Sequence, residues 1–206
     1  VNRSVTVSVE PTVEPVSLSE AKLHLRVDDD ITADDSLISA LITAARQKIE
    51  IETRRALVTQ TQVLRLDGFP KASCGGTAII VPNPPLQSVS SIVYVDQNGD
   101  STTLSASEYL VDSSDEPGRI TPAYNGSWPI AREQINAVTV TYVAGYAVGS
   151  GSPTDYAANV PQALKAAIKL LVGHWYENRE AVGAVNLKPL PMAVDSLIWN
   201  YRNLQL

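Results

Sequence analysis

Between residues 58 and 148 the apolar pattern changes period, and that change restricts the fold more than any other feature of this 206-residue chain. Upstream, Leu37, Ile38, Leu41, Ile42, Ala45 and Ile49 recur at helical spacing and lay one apolar stripe along a helix. Within 58–148 the period drops to two. "TQTQVLRL" alternates, "TAIIV" has the character of a short buried strand, and "SIVYVDQNGDSTTLS" reads as a hairpin with Asn98-Gly99 at its tip. "EYLVDS", "GRITPA" and "AVTVTYVAGY" add further strands, and Pro82, Pro84, Pro85, Pro117, Pro122 and Pro129 punctuate the connections. Helical spacing returns after Pro161, which stands where proline is favoured at a helix start, with Leu164, Ile168, Leu171 and Trp175 as the core-packing stripe. The fold class expected is α+β: a helical core (helices 17–57 and 161–180) with an inserted small, mostly antiparallel β-sheet at about 58–148.

The ends complete this plan. "VTVSVEPTVEPVS" opens the chain as an extended arm, since its prolines and β-branched residues disfavour helix. Ser17 and Glu20 then form a capping box, each side chain meeting an orphan N–H at a helix start. Thr32 and Asp35 are expected to repeat it, with Asp34 and Asp35 in the first turn of the longer helix and Arg54 and Arg55 in its last. "AVGSGSPTDYAANV" is a polar connection. After Gly183, "AVNLKPLPM" should run extended and "VDSLIWNYRNLQL" should form a short amphipathic helix or arm. The division expected is one domain over 1–182 and an extended C-terminal arm over 183–206.

Little in the chain suggests chemistry. "LLVGHWYENREAVG" gathers His174, Tyr176, Glu177, Arg179 and Glu180 around Trp175. On a helical wheel His174 lies roughly 80° from the apolar stripe, at about 100° per residue, which makes it a half-buried flanking group. Glu177 and Glu180 face away, and a general acid or base needs a partner that other elements would have to supply. His24, the second of two histidines, has no metal-ligand spacing to His174. The acidic run Asp28, Asp29, Asp30, Asp34, Asp35 fails as a calcium loop, which needs glycine sixth and glutamate twelfth. Counted from Asp28 those places hold Ala33 and Ser39, and from Asp30 they hold Asp35 and Leu41. "VGSGS" and "NGSWP" lack the strand–turn–helix context of a nucleophile elbow, and "AGYAVGSG" lacks the lysine of a phosphate loop. No enzyme, metal or cofactor is expected.

Composition limits the partners. Hydrophobic residues make up 44% and charged residues 18%, ordinary for a globular domain, and no apolar run nears the roughly 20 residues that cross a bilayer. No signal peptide is expected from the opening residues. The lone Cys74 excludes an internal disulfide framework and suits a reducing compartment. With a net charge of −6 and sixteen scattered Lys and Arg, the chain lacks the basic face that grips phosphates. DNA near it would pass by. The tail groups Leu197, Ile198, Trp199, Tyr201, Leu204 and Leu206 are apolar enough either to fold back onto the core or to dock on a neighbour, since Trp and Tyr favour binding hot spots. Each is worth roughly 1.5–3 kcal/mol on full burial.

Taken in order, "VSLSEAKLHLRVDDD", "DDSLISALITAARQKIEIETRRALVTQT", "LRLDGFP", "VPNPPLQSVSSIVYVDQNGD", "YLVD", "SWP", "AVTVTYVAGY", "VPQALKAAIKLLVGHWYENREAV" and the closing "YR" resemble the phage head–tail connector (adaptor) family, also labelled phage DNA-packaging proteins. The resemblance spans nearly the whole chain; the Val148–Pro153 connection has no counterpart in it. It implies a helical core with a β insertion and a ring of about twelve copies beneath the capsid portal, prolonging the DNA channel. The implied partners are further copies of the chain, the portal protein and a tail-side stopper or tail-completion protein. DNA would pass without tight binding and no membrane would be involved. The implied location is the head–tail junction of the virion, after synthesis in the host bacterial cytoplasm. It also implies that "HWYENRE" is a structural helix end and that Leu197–Leu206 reach toward the portal. A DNA-packaging accessory enzyme and a generic protein-binding module are the alternative functions.

Overall fold

The computed structural model describes residues 3–71, 77–146, 159–178 and 191–204. These fall into two compact units, one of 3–11 and 59–146, the other of 12–58, 159–178 and 191–204. Of the run expected to be extended after Gly183, residues 184–190 lie outside the described residues, as does most of the 147–160 connection, while Pro191 and Met192 belong to a helix instead. Residues 191–204, expected as part of the C-terminal arm, group with the helical segments.

The first unit holds eight strands: β1 (Arg3–Val9), β2 (Gln60–Leu66), β3 (Ile79–Ile80), β4 (Leu86–Val95), β5 (Ser101–Thr103), β6 (Tyr109–Asp112), β7 (Arg119–Pro122) and β8 (Val138–Ala144). All described pairings are antiparallel, as the alternation predicts. They form two sheets where a single small one was expected: a five-stranded sheet ordered β1-β2-β8-β4-β5 and a three-stranded sheet ordered β3-β7-β6. The opening arm is not merely extended, because β1 pairs along β2 from Arg3↔Leu66 to Val9↔Thr61.

Strict alternation makes the core of this unit. Leu64 and Leu66 of β2 and Val138, Val140, Tyr142 and Ala144 of β8 are buried, while their neighbours in sequence are half-exposed. Gln60 and Gln62 share the buried face. Gln62 Oε1 accepts from Asn83 Nδ2 at 2.9 Å and lies 2.8 Å from the Tyr142 hydroxyl, which is also 3.1 Å from the Pro82 carbonyl. Burial pushes the Tyr142 phenol up, so it remains a neutral donor. Phe69 stacks on Trp128 at 4.9 Å and meets the edge of Tyr94 at 5.7 Å. The Asn98-Gly99 turn joins β4 to β5 as predicted. Gly99 sits at φ +98°, where other residues are strained, and Asp96 Oδ1 accepts the N–H groups of Asn98 and Asp100 at 2.8 and 2.9 Å.

The second unit holds α1 (Leu18–Leu25), α2 (Asp35–Thr53), α3 (Gln162–Glu177) and α4 (Pro191–Ile198), with α2 packed on α3 and α3 on α4. Ile38, Ile42, Ala45 and Ile49 of α2 are buried, as are Leu164, Ala167, Ile168, Leu171 and Val172 of α3 and Val194 and Ile198 of α4. Trp175 is half-buried, and so are Leu37 and Leu41. Among the described residues no helix is long and apolar enough to cross a membrane.

Two capping expectations separate here. At α1 the box forms: Glu20 N–H donates to Ser17 Oγ at 3.2 Å and Ser17 N–H donates to Glu20 Oε2 at 2.8 Å. At α2 it does not. The helix starts two residues later than a Thr32 cap requires, with Asp34 at the N-cap and no side-chain cap bond. Asp35 is engaged elsewhere, 2.7 Å from the buried Lys22 ammonium. Arg54 and Arg55 also stand just outside α2, Arg54 closing it in the left-handed region at φ 53°.

Candidate docking surface

The histidine stretch carries structure. His174 is half-buried in the last turn of α3, and its carbonyl accepts from both Asn178 N–H and Asn178 Nδ2, which ends the helix. Tyr176 OH donates to Asp34 Oδ2 at 2.6 Å, tying α3 to the start of α2. A Cβ on Gly173 would lie 3.4 Å from His24 Nε2, so α1 and α3 approach closely at that point. Arg179 and Glu180 lie outside the described residues. Among the described residues no group of three metal-ligating side chains gathers anywhere. The acidic run is likewise drawn into packing: Lys22 Nζ, almost fully buried, donates to the Asp29 carbonyl at 3.1 Å and pairs with Asp35.

The tail is the more informative surface. After α4 the chain makes a 3-10 turn at Trp199–Tyr201 and is then tied along the end of α2. Asn203 N–H donates to the Thr53 carbonyl at 2.9 Å, and Arg55 Nε donates to the Tyr201 carbonyl. Arg202 Nη2 lies 3.1 Å from Asp195 and 3.8 Å from Glu52, and its guanidinium sits 5.3 Å from the Trp199 ring centroid. The six tail residues divide under this tether. Ile198 is fully buried in the helical core, and Leu197 and Tyr201 are half-buried. Trp199 and Leu204 stay 62% and 80% exposed on a backbone held from both sides. Leu206 lies outside the described residues. Composition had left open whether the tail folds back or docks outward; here Ile198 folds back, while Trp199 and Leu204 face outward.

Sequence reading missed exposed apolar residues on two strands of the β unit. Leu110 and Val111 of β6 are 59% and 40% exposed on opposite faces, and Val7 and Val9 of β1 are 43% and 56% exposed. The signal was present in "YLVD", where two adjacent large apolar residues break the alternation of a strand with one wet face.

Comparison with known proteins points to one family. Residues 15–115, which run from the turn before α1 through β6, match the phage gp6-like head-tail connector proteins. Over these residues, just under half of the chain, the sequence resembles the phage gp6-like head–tail connector family. No curated protein matches the sequence. Solved structures share the fold of nearly the whole chain. A chain in the neck of an empty gene transfer agent (GTA) particle, computed with C6 symmetry, superposes with a TM-score of 0.77 at 23% identity, covering 98% of this chain and 97% of that one. A chain of the native GTA virion gives 0.76 at 22% identity, covering 98% and 96%. One from the native GTA neck computed with C12 symmetry gives 0.68 at 22%, covering 100% and 97%. At these identities the likeness establishes the fold alone.

Proposed function

We propose that this chain is a structural head–tail connector without catalytic activity, a ring-forming adaptor at the capsid vertex. Twelve copies would sit under the portal, extend the DNA channel and offer their far face to a tail-side stopper or tail-completion protein. The observation that carries the reading is the match of a connector family joined to a fold shared end to end with chains of phage-like necks, solved with C6 and C12 symmetry. The net charge of −6 supports a channel wall that lets DNA slide, because affinity for DNA comes largely from neutralised phosphates.

Trp199 and Leu204 are the groups assigned to the portal. An exposed tryptophan on a tethered backbone loses little conformational freedom on burial, which suits a binding anchor. The test mixes the purified chain with its portal and images the product by cryo-electron microscopy. A closed ring beneath the portal, with Trp199 and Leu204 covered by portal subunits, is expected. The Trp199→Ser, Leu204→Ser double variant should fold as the wild type, since neither side chain is in the core, yet bind portal at least tenfold more weakly. Full portal binding by that variant, or a wild-type chain that stays free, overturns the assignment.

A further inference from the structure

We infer that adjacent copies join through their β units, the free edge of β1 in one copy pairing antiparallel with the free edge of β6 in the next. The inference rests on the ring reading above and concerns which surfaces close the ring.

Both strands lie at the rim of their sheets, β1 at one end of the five-stranded order and β6 at one end of the three-stranded order, with no strand beyond either among the described residues. A bare edge presents a row of unpaired N–H and C=O groups, which proteins usually blunt with charge, proline or a cover. Neither strand is blunted along its middle. From Ser4 to Val9, β1 reads "SVTVSV", with no charge and no proline. Val5 and Val7 lie on the face of buried Leu64 and Gln62, yet Val7 remains 43% exposed. In β6, Leu110 and Val111 are uncovered on both faces.

A cyclic ring needs two different surfaces that meet head to tail. Pairing β1 with β1 would give a two-fold dimer instead. Charge sets the direction of the pairing. Arg3 opens β1, and Arg65 lies opposite Ser4 on β2, so that end of the edge is basic. The far end of β6 is acidic: Asp112, Asp115 and Glu116 follow one another in sequence, and Arg119 lies 2.9 Å from Asp112 and 3.8 Å from Asp115. An antiparallel approach brings the basic end of β1 to the acidic end of β6. With Arg3 opposite Asp112, Ser4 faces Val111, Val5 faces Leu110 and Thr6 faces Tyr109. Val5 and Leu110 then share one face with the Arg3–Asp112 pair, as the two-residue period of strands requires.

The test is disulfide trapping in a Cys74→Ser background, with Ser4→Cys and Val111→Cys in separate chains. Directly opposed strand residues stand within the Cα separation that a disulfide spans. Mixed under oxidising conditions with portal present, the two chains should form a covalent dimer, neither chain should dimerise alone, and a double variant should give a ladder ending in a closed ring. Leu110→Lys, placed on the same face as Arg3, should reduce trapping at least tenfold without changing the melting profile of the monomer. A Ser4→Cys chain that links to itself overturns the inference in favour of a two-fold contact. Rings visible by electron microscopy without any Ser4–Val111 link overturn this pairing and leave the ring standing. A chain that stays monomeric beside its portal overturns both.

Discussion

The two units bury polar groups by opposite means. In the β unit the buried polar cluster is neutral: Tyr142, Gln62 and Asn83 share hydrogen bonds with a carbonyl, and no charge enters. In the helical unit charge is buried as well: Lys22, Arg46 and Lys165 are buried beside the neutral Thr53 and Asn203. Lys22 and Arg46 are each 3% exposed, one pinning the acidic turn between α1 and α2, the other holding Glu14 and Glu50 together. A strand offers a polar side chain a neighbour at fixed register, so a neutral amide can be satisfied by the sheet itself. Helices joined by irregular segments lack such a grid. There, long charged side chains reach across from one element to the next.

Breaking one member of each cluster tests that difference, and the charged one should fail harder. Arg46 Nε donates to Glu14 Oε2 at 2.8 Å and Nη1 to Glu50 Oε2 at 2.7 Å. Glu14 also accepts from Thr43, and Glu50 from the Leu57 N–H at 2.8 Å, so the cluster ties both flanking segments to α2. Removing one partner of a buried ion pair leaves an uncompensated charge and costs about 3–5 kcal/mol. Arg46→Met is therefore expected to lower the helical unit's stability by about that amount, read as denaturant unfolding followed by helical circular dichroism. A loss of under about 1 kcal/mol, the range of surface pairs, would mean that Arg46 is solvated and the contrast is false.

Tyr142→Phe is the matching change in the β unit. It strips one hydroxyl, but Gln62 keeps its bond from Asn83, so the expected loss is about 1–3 kcal/mol, followed by tryptophan fluorescence. If it equals or exceeds the Arg46→Met loss, neutral and charged burial do not differ here in the way described.

How far the sequence revealed this architecture follows the same line. Regular elements were legible because period two and period 3.6 are local: the alternation over Gln60–Leu66 and the stripe on α2 each carry their own signal. The Ser17–Glu20 box was legible for the same reason, since both partners lie within one turn. The Thr32–Asp35 box was not, because a residue distant in sequence, Lys22, took Asp35. The division into two sheets depends on pairings such as Ile79↔Ile120, forty-one positions apart, which no local pattern encodes. At the tail, composition marked six apolar groups but could not say that Ile198 would be buried while Trp199 and Leu204 stay in solvent.

The smallest expected effect is also the one with opposite sign in the two units. Burial raises the Glu50 carboxyl above its ordinary 4.5, opposed by Arg46 and the Leu57 N–H. On the exposed β6–β7 hairpin, the Ser114 hydroxyl and then Arg119 hold Asp112 down at about 2, against an ordinary 3.8. A raised carboxyl contributes stability that is present below its unfolded value and lost as pH rises through the folded one. A depressed carboxyl contributes stability present above its unfolded value and lost as pH falls through the folded one. Acidification from 3.8 toward 2 should therefore loosen the β6–β7 hairpin through Asp112, while Glu50, already protonated, contributes no loss across that interval. Carboxyl chemical shifts followed by NMR should place the Glu50 midpoint above 4.5 and that of Asp112 well below 3.8. Ser114→Ala should move only the Asp112 midpoint, upward, because it removes the first of the bonds that hold the carboxylate ionised. Coincident midpoints would show that the helical unit leaves Glu50 as wet as the hairpin leaves Asp112, and the proposed difference between charged burial and surface pairing would be lost.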